Sequence, residues 1–372
     1  MMGLFMVLPL LTLYAGDFVG ATPFLIGLAL GVYGLMQAVL QIPLGFLSDR
    51  VGRKPVIIGG LLLFAAGSLI AAQADTIWGL LLGRVMQGAG AIAGTLMALV
   101  ADLTRPEQRT KAMAIVGVSI GFSFMLAMIV GPLVAAKGGL SAVFELTAVL
   151  AVSGVLLLWL VVPTPDAPEI PQLSDGGMTR ALLNPALLRL DFGVFILHLL
   201  LMAVFLLVPT MLEQSAGLVR ESHWKVYLAV MLLSIVGIVP MMRVAERGGK
   251  SRAVFLLAIS LLLPALLLLA CVWQFAELGA VAVYVALWLF FVGFNFLEAS
   301  MPSLVSKVAG QSRRGAAMGA FSTSQFLGAF CGGALGGLIL QLYGAFAVLM
   351  SALSLVLVWL VVARTMQLAP SE

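Results

Sequence analysis

The sequence predicts an all-α membrane protein with twelve transmembrane helices arranged as two six-helix halves. The chain is 62% hydrophobic and 10% charged, with a mean hydropathy of +1.15, which indicates that lipid surrounds most of it. Apolar runs of about 18 to 25 residues recur along the whole chain, the length that crosses about 30 Å of hydrocarbon. A short motif near the middle of the first half also returns in the second half.

The predicted spans follow the apolar runs in chain order. They are residues 1–15, 22–47, 55–73, 77–100, 111–136, 140–162, 190–212, 224–243, 253–273, 279–305, 315–340 and 342–363. Span 1 is too short to cross alone, and it lacks the basic start and the cleavage site of a signal peptide. We therefore expect it to be a first helix that lacks its cytoplasmic start.

One polar segment divides the chain into domains. Residues 163–180 are rich in Pro, Asp and Gly, and the apolar pattern stops there, because Pro and Gly end helices. We predict an N-terminal bundle of residues 1–162 and a C-terminal bundle of residues 190–364. A cytoplasmic linker of residues 163–189 connects them, and residues 365–372 form a short cytoplasmic tail.

The basic residues predict the orientation in the membrane. With both termini on one side, that side receives 16 of the 20 Lys and Arg residues. Only Lys137, Arg220 and Lys225 fall on the other side, and Arg84 lies within span 4. Because basic loops remain in the cytoplasm, both termini are predicted to be cytoplasmic. This distribution accounts for the net charge of +4 without a nucleic-acid partner.

The two halves are related at an offset of 205 residues. LVADLTRPEQRTKAMA (99–114) aligns without gaps with LVSKVAGQSRRGAAMG (304–319), so that Arg109 meets Arg314 and Met113 meets Met318. Parallel repeats of six spans are typical of transporters in which one half rocks against the other around a central site.

Two loop and helix motifs resemble those of a known family. GFLSDRVGRKP (45–55) matches the loop signature G-x-L-x-D-R-x-G-R-K, and LLLGRVMQGAGAIAG (80–94) matches a fourth-helix pattern. On these motifs the chain resembles the major facilitator superfamily, and within it the YajR-like branch of twelve-helix drug/proton antiporters. The fifth-helix antiporter pattern is matched in part, at Gly131 and Pro132.

The resemblance implies a cytoplasmic gate. Its residues are Gly45, Asp49, Arg50, Gly52, Arg53, Lys54 and Asp102. Asp49 would meet the start of span 11 (315–318) and Arg53 would pair with Asp102, and we expect both contacts only when the halves close on the cytoplasmic side. Basic residues also keep a loop in the cytoplasm, and this effect alone explains Arg50 and Lys54. It does not explain Asp49 or the glycines.

Arg84 lies about 10 Å inside span 4, where a guanidinium must face protein or water. Two interpretations have equal weight. Arg84 either clamps backbone carbonyl groups through its five N–H donors, or takes the role in proton coupling that the resemblance implies. Gln87 lies one turn further along the same face.

His198 and Glu298 lie at a similar depth of about 12 Å, in spans 7 and 10. In the family, spans 1, 4, 7 and 10 line a central cavity, which implies that these residues face each other across it. An intramembrane Glu is a functional hypothesis by default, so we predict that Glu298 and His198 carry protons. The alternative is a static hydrogen bond between Glu298 and Asn295, with His198 satisfied within its own half.

The candidate cavity residues form mainly apolar stripes with a few polar groups. They are Tyr33, Gln37, Gln87, Phe195, Met202, Phe291, Asn295 and Gln325. Such a lining favours drug-like compounds over sugars, although similar stripes also occur in simple packing. Gly328, Gly332 and Gly336 resemble a surface for close helix packing.

These observations predict a proton-coupled antiporter that exports small amphipathic compounds. Uptake by symport or uniport on the same fold is the alternative. No nucleotide-binding loop or catalytic cluster is visible, so an enzyme and an ATP-driven pump are disfavoured. We predict no metal or cofactor; the partners are a small-molecule substrate, protons and the lipid bilayer, with a monomer in a bacterial-type inner membrane.

Overall fold

The computed structural model describes residues 2–164, 184–247, 250–309 and 314–366. Within these ranges the chain forms eleven α-helices, connected by turns and four 3-10 segments. The helices are α1 (Met2–Tyr14), α2 (Pro23–Val51), α3 (Arg53–Ala72), α4 (Ile77–Ala89), α5 (Ala93–Asp102), α6 (Arg109–Leu160), α7 (Pro185–Gln214), α8 (His223–Arg247), α9 (Ser251–Gln274), α10 (Gly279–Ala309) and α11 (Arg314–Arg364). Residues 165–183 of the predicted linker and 367–372 of the predicted tail lie outside the described residues.

These helices account for the twelve predicted spans. In the part of the chain that the structure describes, nine helical segments are long and apolar enough to cross a membrane, and α1 is a shorter apolar helix. Helices α6 and α11 each contain two spans. They bend at Gly139, with a φ of 65°, and at Gly344, with a φ of 82°, because glycine adopts positive φ without steric strain.

Span 4 differs from the prediction, because it is two helices rather than one. Helix α4 ends at Ala89 and α5 begins at Ala93. A Cβ at Gly90 would lie 3.2 Å from the carbonyl carbon of Gly60 in α3, so the two backbones cross in direct contact. Glycine is also a poor helix former, and the GAGAIAG run therefore breaks the helix at this crossing.

The outer surface of the bundle is apolar. Val118, Trp159 and Val281 are 74%, 67% and 71% exposed, and each lies on a long apolar helix. Many further large apolar side chains are exposed on the long helices, which is unusual for a water-soluble protein. These residues are placed to contact lipid tails, so the chain is an integral membrane protein.

The two halves meet through glycines of α2 and α11. A Cβ at Gly31 would lie 2.6 Å from the carbonyl oxygen of Phe330, and one at Gly337 would lie 2.6 Å from that of Pro23. Gly27 and Gly333 face each other in the same contact. Only residues without a side chain allow the backbones to approach this closely. We call this side of the bundle the Gly27 end.

Further contacts close the Gly27 end. The guanidinium of Arg220 lies 5.3 Å from the ring centroid of Tyr14, which joins the second half to the first by a cation–π interaction. The same Arg220 donates from Nε to Glu213 Oε1 over 2.7 Å. The Phe24 amide donates to Gln341 Oε1 over 3.2 Å, again between the halves.

The opposite side, which we call the Asp49 end, is open. A Cβ at Gly45 of α2 would meet no described atom within 4 Å outside its local helix backbone, and the same holds at Gly315 and Gly319 of α11. Gly45, a predicted gate residue, therefore makes no close contact with the other half in this conformation. The close backbone contacts of α2 glycines with α11 thus lie between Gly27 and Gly34, and Gly45 has none among the described residues.

We predict that Gly333→Val opens the Gly27 end. The new side chain would meet backbone atoms of Gly31, which cannot move without separating α2 from α11. Spin labels on Phe24 and Gln341 would then give a longer distance than in the parent protein. The matched control is Gly59→Val, because Gly59 of α3 has open space around it. Unchanged label distances in Gly333→Val would contradict the proposed contact.

Candidate functional site

The loop between α2 and α3 forms a charged network at the Asp49 end. Arg53 pairs with Asp49 through Nη1, and its Nε donates to Asp102 Oδ2 over 3.0 Å. Arg53 Nη1 also lies 2.7 Å from Ser48 Oγ. Gly52 separates the two helices with a φ of 96°, which lets the chain turn and begin α3 with Arg53.

This network corrects one expectation about the gate. The contact between Arg53 and Asp102 lies within the first half and is present although the Asp49 end is open. It therefore does not require closure of the halves. Asp49 faces Arg53 here, and its predicted contact with the start of α11 stays a prediction for the closed state. Lys54 donates to the Val162 carbonyl oxygen over 2.8 Å, and Arg50 is exposed.

Arg84 is fully buried inside the first half. Its Nε donates to the Ala29 carbonyl oxygen over 3.0 Å, and Nη1 donates to Gln87 Oε1 over 2.8 Å. The guanidinium lies 5.2 Å from the ring centroid of Tyr33, which adds a cation–π contact. A backbone carbonyl oxygen, a side-chain amide oxygen and a ring face thus surround the charge, so the structure contains one of the backbone contacts that the clamp interpretation requires.

Two predicted cavity residues belong to this same buried cluster. Gln87 Nε2 donates to Ser68 Oγ over 2.7 Å, and Gln37 Nε2 donates to the Tyr33 hydroxyl over 2.9 Å. Gln87 is 0% and Gln37 is 3% exposed. In this conformation both side chains therefore lie inside the first half and not on a surface between the halves. The hydrogen-bonding groups of Gln87 are occupied by Arg84 and Ser68.

His198, Glu298 and Gln325 form one hydrogen-bonded cluster in the second half. Gln325 Nε2 lies 2.8 Å from His198 Nε2 and 3.2 Å from Glu298 Oε1. His198 Nε2 lies 3.7 Å from Glu298 Oε2. The Glu298 side chain is 39% exposed, although it lies about 12 Å from the end of its span. The cluster is therefore partly exposed at this depth rather than sealed in the core.

Three details differ from the sequence-based expectations. His198 and Glu298 do not face each other across a cavity between the halves, because α7, α10 and α11 bring them together within one half. The alternative partner for Glu298 is wrong, since Asn295 Nδ2 donates to Ser234 Oγ over 3.2 Å and points towards α8. Gln325, predicted as a secondary cavity residue, joins the two titratable groups.

An aromatic cluster connects the halves near the centre of the bundle. Phe5 and Phe124 of the first half lie 4.9 Å apart between ring centroids, and Phe124 lies 6.4 Å from Phe291 of the second half. Phe291 also contacts Phe205 and Phe294, and the Phe294 ring lies 5.9 Å from that of His198. Phe291 and Met202 are buried, whereas Phe195 is partly exposed.

The partial antiporter motif lies where α6 packs against α1. A Cβ at Gly131 would lie 2.9 Å from the Met6 carbonyl oxygen, and Pro132 follows inside the helix. The predicted glycine face of α11 also forms a close contact, since a Cβ at Gly332 would lie 2.7 Å from Leu199 Cα in α7. The glycines of α2 that face α11 were not predicted, although their spacing at residues 27, 31 and 34 gave the signal.

We predict that Arg84→Lys lowers the stability of the protein by about 2 kcal/mol, because an ammonium group cannot replace both hydrogen bonds and leaves a buried acceptor unpaired. Thermal unfolding of the purified protein measures this loss. The control is Arg105→Lys, since Arg105 is exposed. An unfolding temperature of Arg84→Lys equal to that of the control would show that the clamp does not stabilise the fold.

Comparisons with known proteins agree with this architecture. The family model described as Major Facilitator Superfamily matches residues 1–237 and 190–371. The inner membrane transport protein YajR of Escherichia coli (strain K12) is 47% identical over 373 residues, which cover 100% of this chain and 81% of YajR. The multidrug resistance protein MdtH of Aeromonas hydrophila subsp. hydrophila is 30% identical over 348 residues, covering 90% and 83% of the two chains.

A solved structure shares the fold. The bacterial homologue of the human lysosomal transporter Spinster, in an inward-facing and occupied conformation, superposes with a TM-score of 0.74 at 13% sequence identity. The match covers 98% of this chain and 92% of that one. Together with the sequence matches, the twelve spans and the two packed halves show that the chain belongs to the major facilitator superfamily of membrane transporters.

Proposed function

We propose that this chain is a proton-coupled antiporter that exports small amphipathic compounds by alternating access. The observation that carries the proposal is the cluster of His198, Gln325 and Glu298. It holds two titratable side chains in contact at membrane depth, and one of them is partly exposed to the open space. A site of this kind can take up and release a proton from one side of the membrane.

The open Asp49 end supports an assignment of the conformation. With 16 of the 20 basic residues on the side of the termini, the Asp49 end faces the cytoplasm. The structure then corresponds to the inward-facing state, in which the cluster exchanges protons with the cytoplasm. By analogy with YajR, whose name places it in the inner membrane, we assign the chain to a bacterial inner membrane. The monomeric state stays a prediction.

The surroundings of the cluster support an amphipathic substrate. The Phe294 ring lies beside His198, and Phe291 and Phe205 pack behind it, so the buried wall next to the cluster is apolar while the cluster itself provides the polar groups. Sites of this composition bind apolar molecules that carry few hydrogen-bonding groups. The name of MdtH, a multidrug resistance protein, agrees with such a substrate.

Transport in proteoliposomes tests the direction of coupling. For exchange of one neutral substrate with one proton, a pH difference of one unit supports a substrate gradient of up to about tenfold. Antiport predicts that substrate moves against the direction in which protons flow. Substrate movement in the same direction as protons would favour the symporter, and movement that does not depend on the pH gradient would favour the uniporter.

We predict that Glu298→Gln loses accumulation driven by the pH gradient but retains exchange of substrate across the membrane. The amide keeps the shape of the side chain and cannot titrate, so only the coupling is removed. The control is Glu277→Gln, since Glu277 is exposed in the short 3-10 segment before α10. If Glu298→Gln keeps both activities, Glu298 does not carry the proton.

We predict that Asp49→Asn slows transport without changing substrate affinity. In the state that is closed at the cytoplasmic side, Asp49 would contact the N-terminal start of α11 and stabilise that state by about 1 kcal/mol. Loss of the carboxylate charge would shift the equilibrium between the two states by about fivefold towards the present conformation. Transport rate and equilibrium binding are measured on the same preparation, with Asp75→Asn in an exposed loop as control. An equal loss of binding would contradict the gate.

A further inference from the structure

We propose that a groove at the turn of α6 binds a phospholipid whose headgroup carries both a phosphate and a primary ammonium group, as phosphatidylethanolamine does. Helix α6 begins at Arg109, near the Asp49 end, and reaches this turn after one complete span, so the groove lies at the opposite surface of the membrane. Lys137 and Glu145 supply its charges. The inference goes beyond the proposed function, because it requires only that the chain lies in a membrane.

The groove, which we call the α6 groove, has a volume of about 390 Å³. It is lined by Leu133, Val134, Lys137, Gly138 and Ala142. Leu133 is 41% exposed, so the groove opens on the outer surface of the bundle, where lipid tails lie. Its wall is apolar apart from the Lys137 side chain, and its volume lies within the range of sites that bind small molecules. An apolar groove with one cation suits the upper part of a phospholipid.

Two small residues keep the α6 groove open. A Cβ at Gly138 would lie 2.7 Å from Ala142 Cβ, so a larger side chain at either position would fill the space between them. The chain reverses at the next residue, since Gly139 has a φ of 65°. The end of span 5 and the start of span 6 are therefore neighbours, and the groove lies between them.

Lys137 provides a cation at the depth of the headgroups. It directly follows predicted span 5 (111–136), and its side chain is exposed. Only three of the 20 Lys and Arg residues fall on this side of the membrane. Among the described residues, Lys137 has no hydrogen-bond or ion-pair partner. Its ammonium group is therefore available to a lipid phosphate.

Glu145 provides an anion on the same face of span 6. It lies five residues, or about 7.5 Å, inside predicted span 6 (140–162), and its side chain is exposed. Ala142, which lines the groove, is three residues earlier and therefore on the same face of the helix. Val149, one turn further along that face, is 60% exposed. A carboxylate that faces lipid is costly unless it has a partner, and no described residue pairs with Glu145.

The direction of the helix brings Glu145 towards the headgroups. Each Cα–Cβ bond of a helix tilts towards the N-terminus of that helix, and span 6 begins at this membrane surface. The Glu145 carboxylate therefore extends from its position inside the span towards the depth of Lys137. In this structure the two side chains form no ion pair with each other, so that both charges can contact a bound headgroup.

The pair of charges selects the class of lipid. Lys137 alone would attract every phospholipid, and an anionic one most strongly. Glu145 repels a headgroup that is only anionic and requires a hydrogen-bond donor. A primary ammonium group supplies three N–H donors, whereas the quaternary ammonium group of phosphatidylcholine supplies none. A headgroup with a phosphate for Lys137 and a primary ammonium group for Glu145 satisfies both residues.

Native mass spectrometry of the full chain tests this inference. The protein is released from micelles that contain equal amounts of POPE, POPG and POPC, and the retained lipids are counted. We expect the parent protein to retain POPE in preference to the other two lipids. Glu145→Gln should lower the preference for POPE over POPG by about fivefold, and Lys137→Gln should lower the retention of all three lipids.

Matched controls lie on the same side of the membrane. Lys225→Gln and Glu277→Gln remove exposed charges away from the α6 groove and should retain lipids like the parent protein. Ala142→Phe fills the groove without changing a charge, so it should lose POPE, and it serves as the test if Lys137→Gln does not fold.

Three outcomes would overturn the inference. They are a parent protein without a preference for POPE, a Glu145→Gln variant that keeps the preference, and an Ala142→Phe variant that still retains the lipid. If Lys137 and Glu145 pair only with each other, both single variants keep the lipid pattern of the parent protein. The measurement involves neither substrate nor a pH gradient, so its result is independent of the direction of transport.

Discussion

The contact between α2 and α11 determines which part of the molecule is open. The glycines at Gly27, Gly31, Gly333 and Gly337 let two backbones from different halves approach to a distance that no larger residue permits. Because the helices are long and stiff, closing them at one end separates them at the other. The open Asp49 end, the exposure of Glu298 and the lone position of Gly45 all follow from this contact.

Lipid imposes a second constraint, since each polar group inside the bundle needs a partner within the protein. The two halves pair their central polar clusters in different ways, and Arg84 Nη2 is left without a hydrogen-bond partner among the described residues. Arg84 is paired with fixed acceptors, the Ala29 carbonyl oxygen and the Gln87 side chain, and is fully buried. His198 and Glu298 both contact the Gln325 amide, and Glu298 is partly exposed. The first arrangement suits a static support, and the second suits a group whose charge changes.

Much of the fold could be predicted from the sequence, because the length and hydropathy of a span depend on the residues within it. The depth of His198 and Glu298 followed from residue counting, and the motif residues Arg53 and Asp102 do meet. The break in span 4 was missed although the GAGAIAG run favours one, because its position depends on Gly60 of another helix crossing at Gly90. For the same reason the partner of Asn295 was wrong and the position of Gln325 was missed. Helix rotation and crossing decide which side chains meet, and both depend on distant segments.

The two glycine turns at Gly139 and Gly344 connect adjacent spans without a loop, and they are 205 residues apart. This is also the offset that aligns residues 99–114 with residues 304–319. The stretch from the aligned segment to the glycine turn therefore has the same number of residues in both halves. Equivalent turns at equivalent positions are what the duplication of a half-length ancestral gene leaves behind. The hairpins of spans 5 and 6 and of spans 11 and 12 have thus kept their length while the chemistry of the two halves diverged.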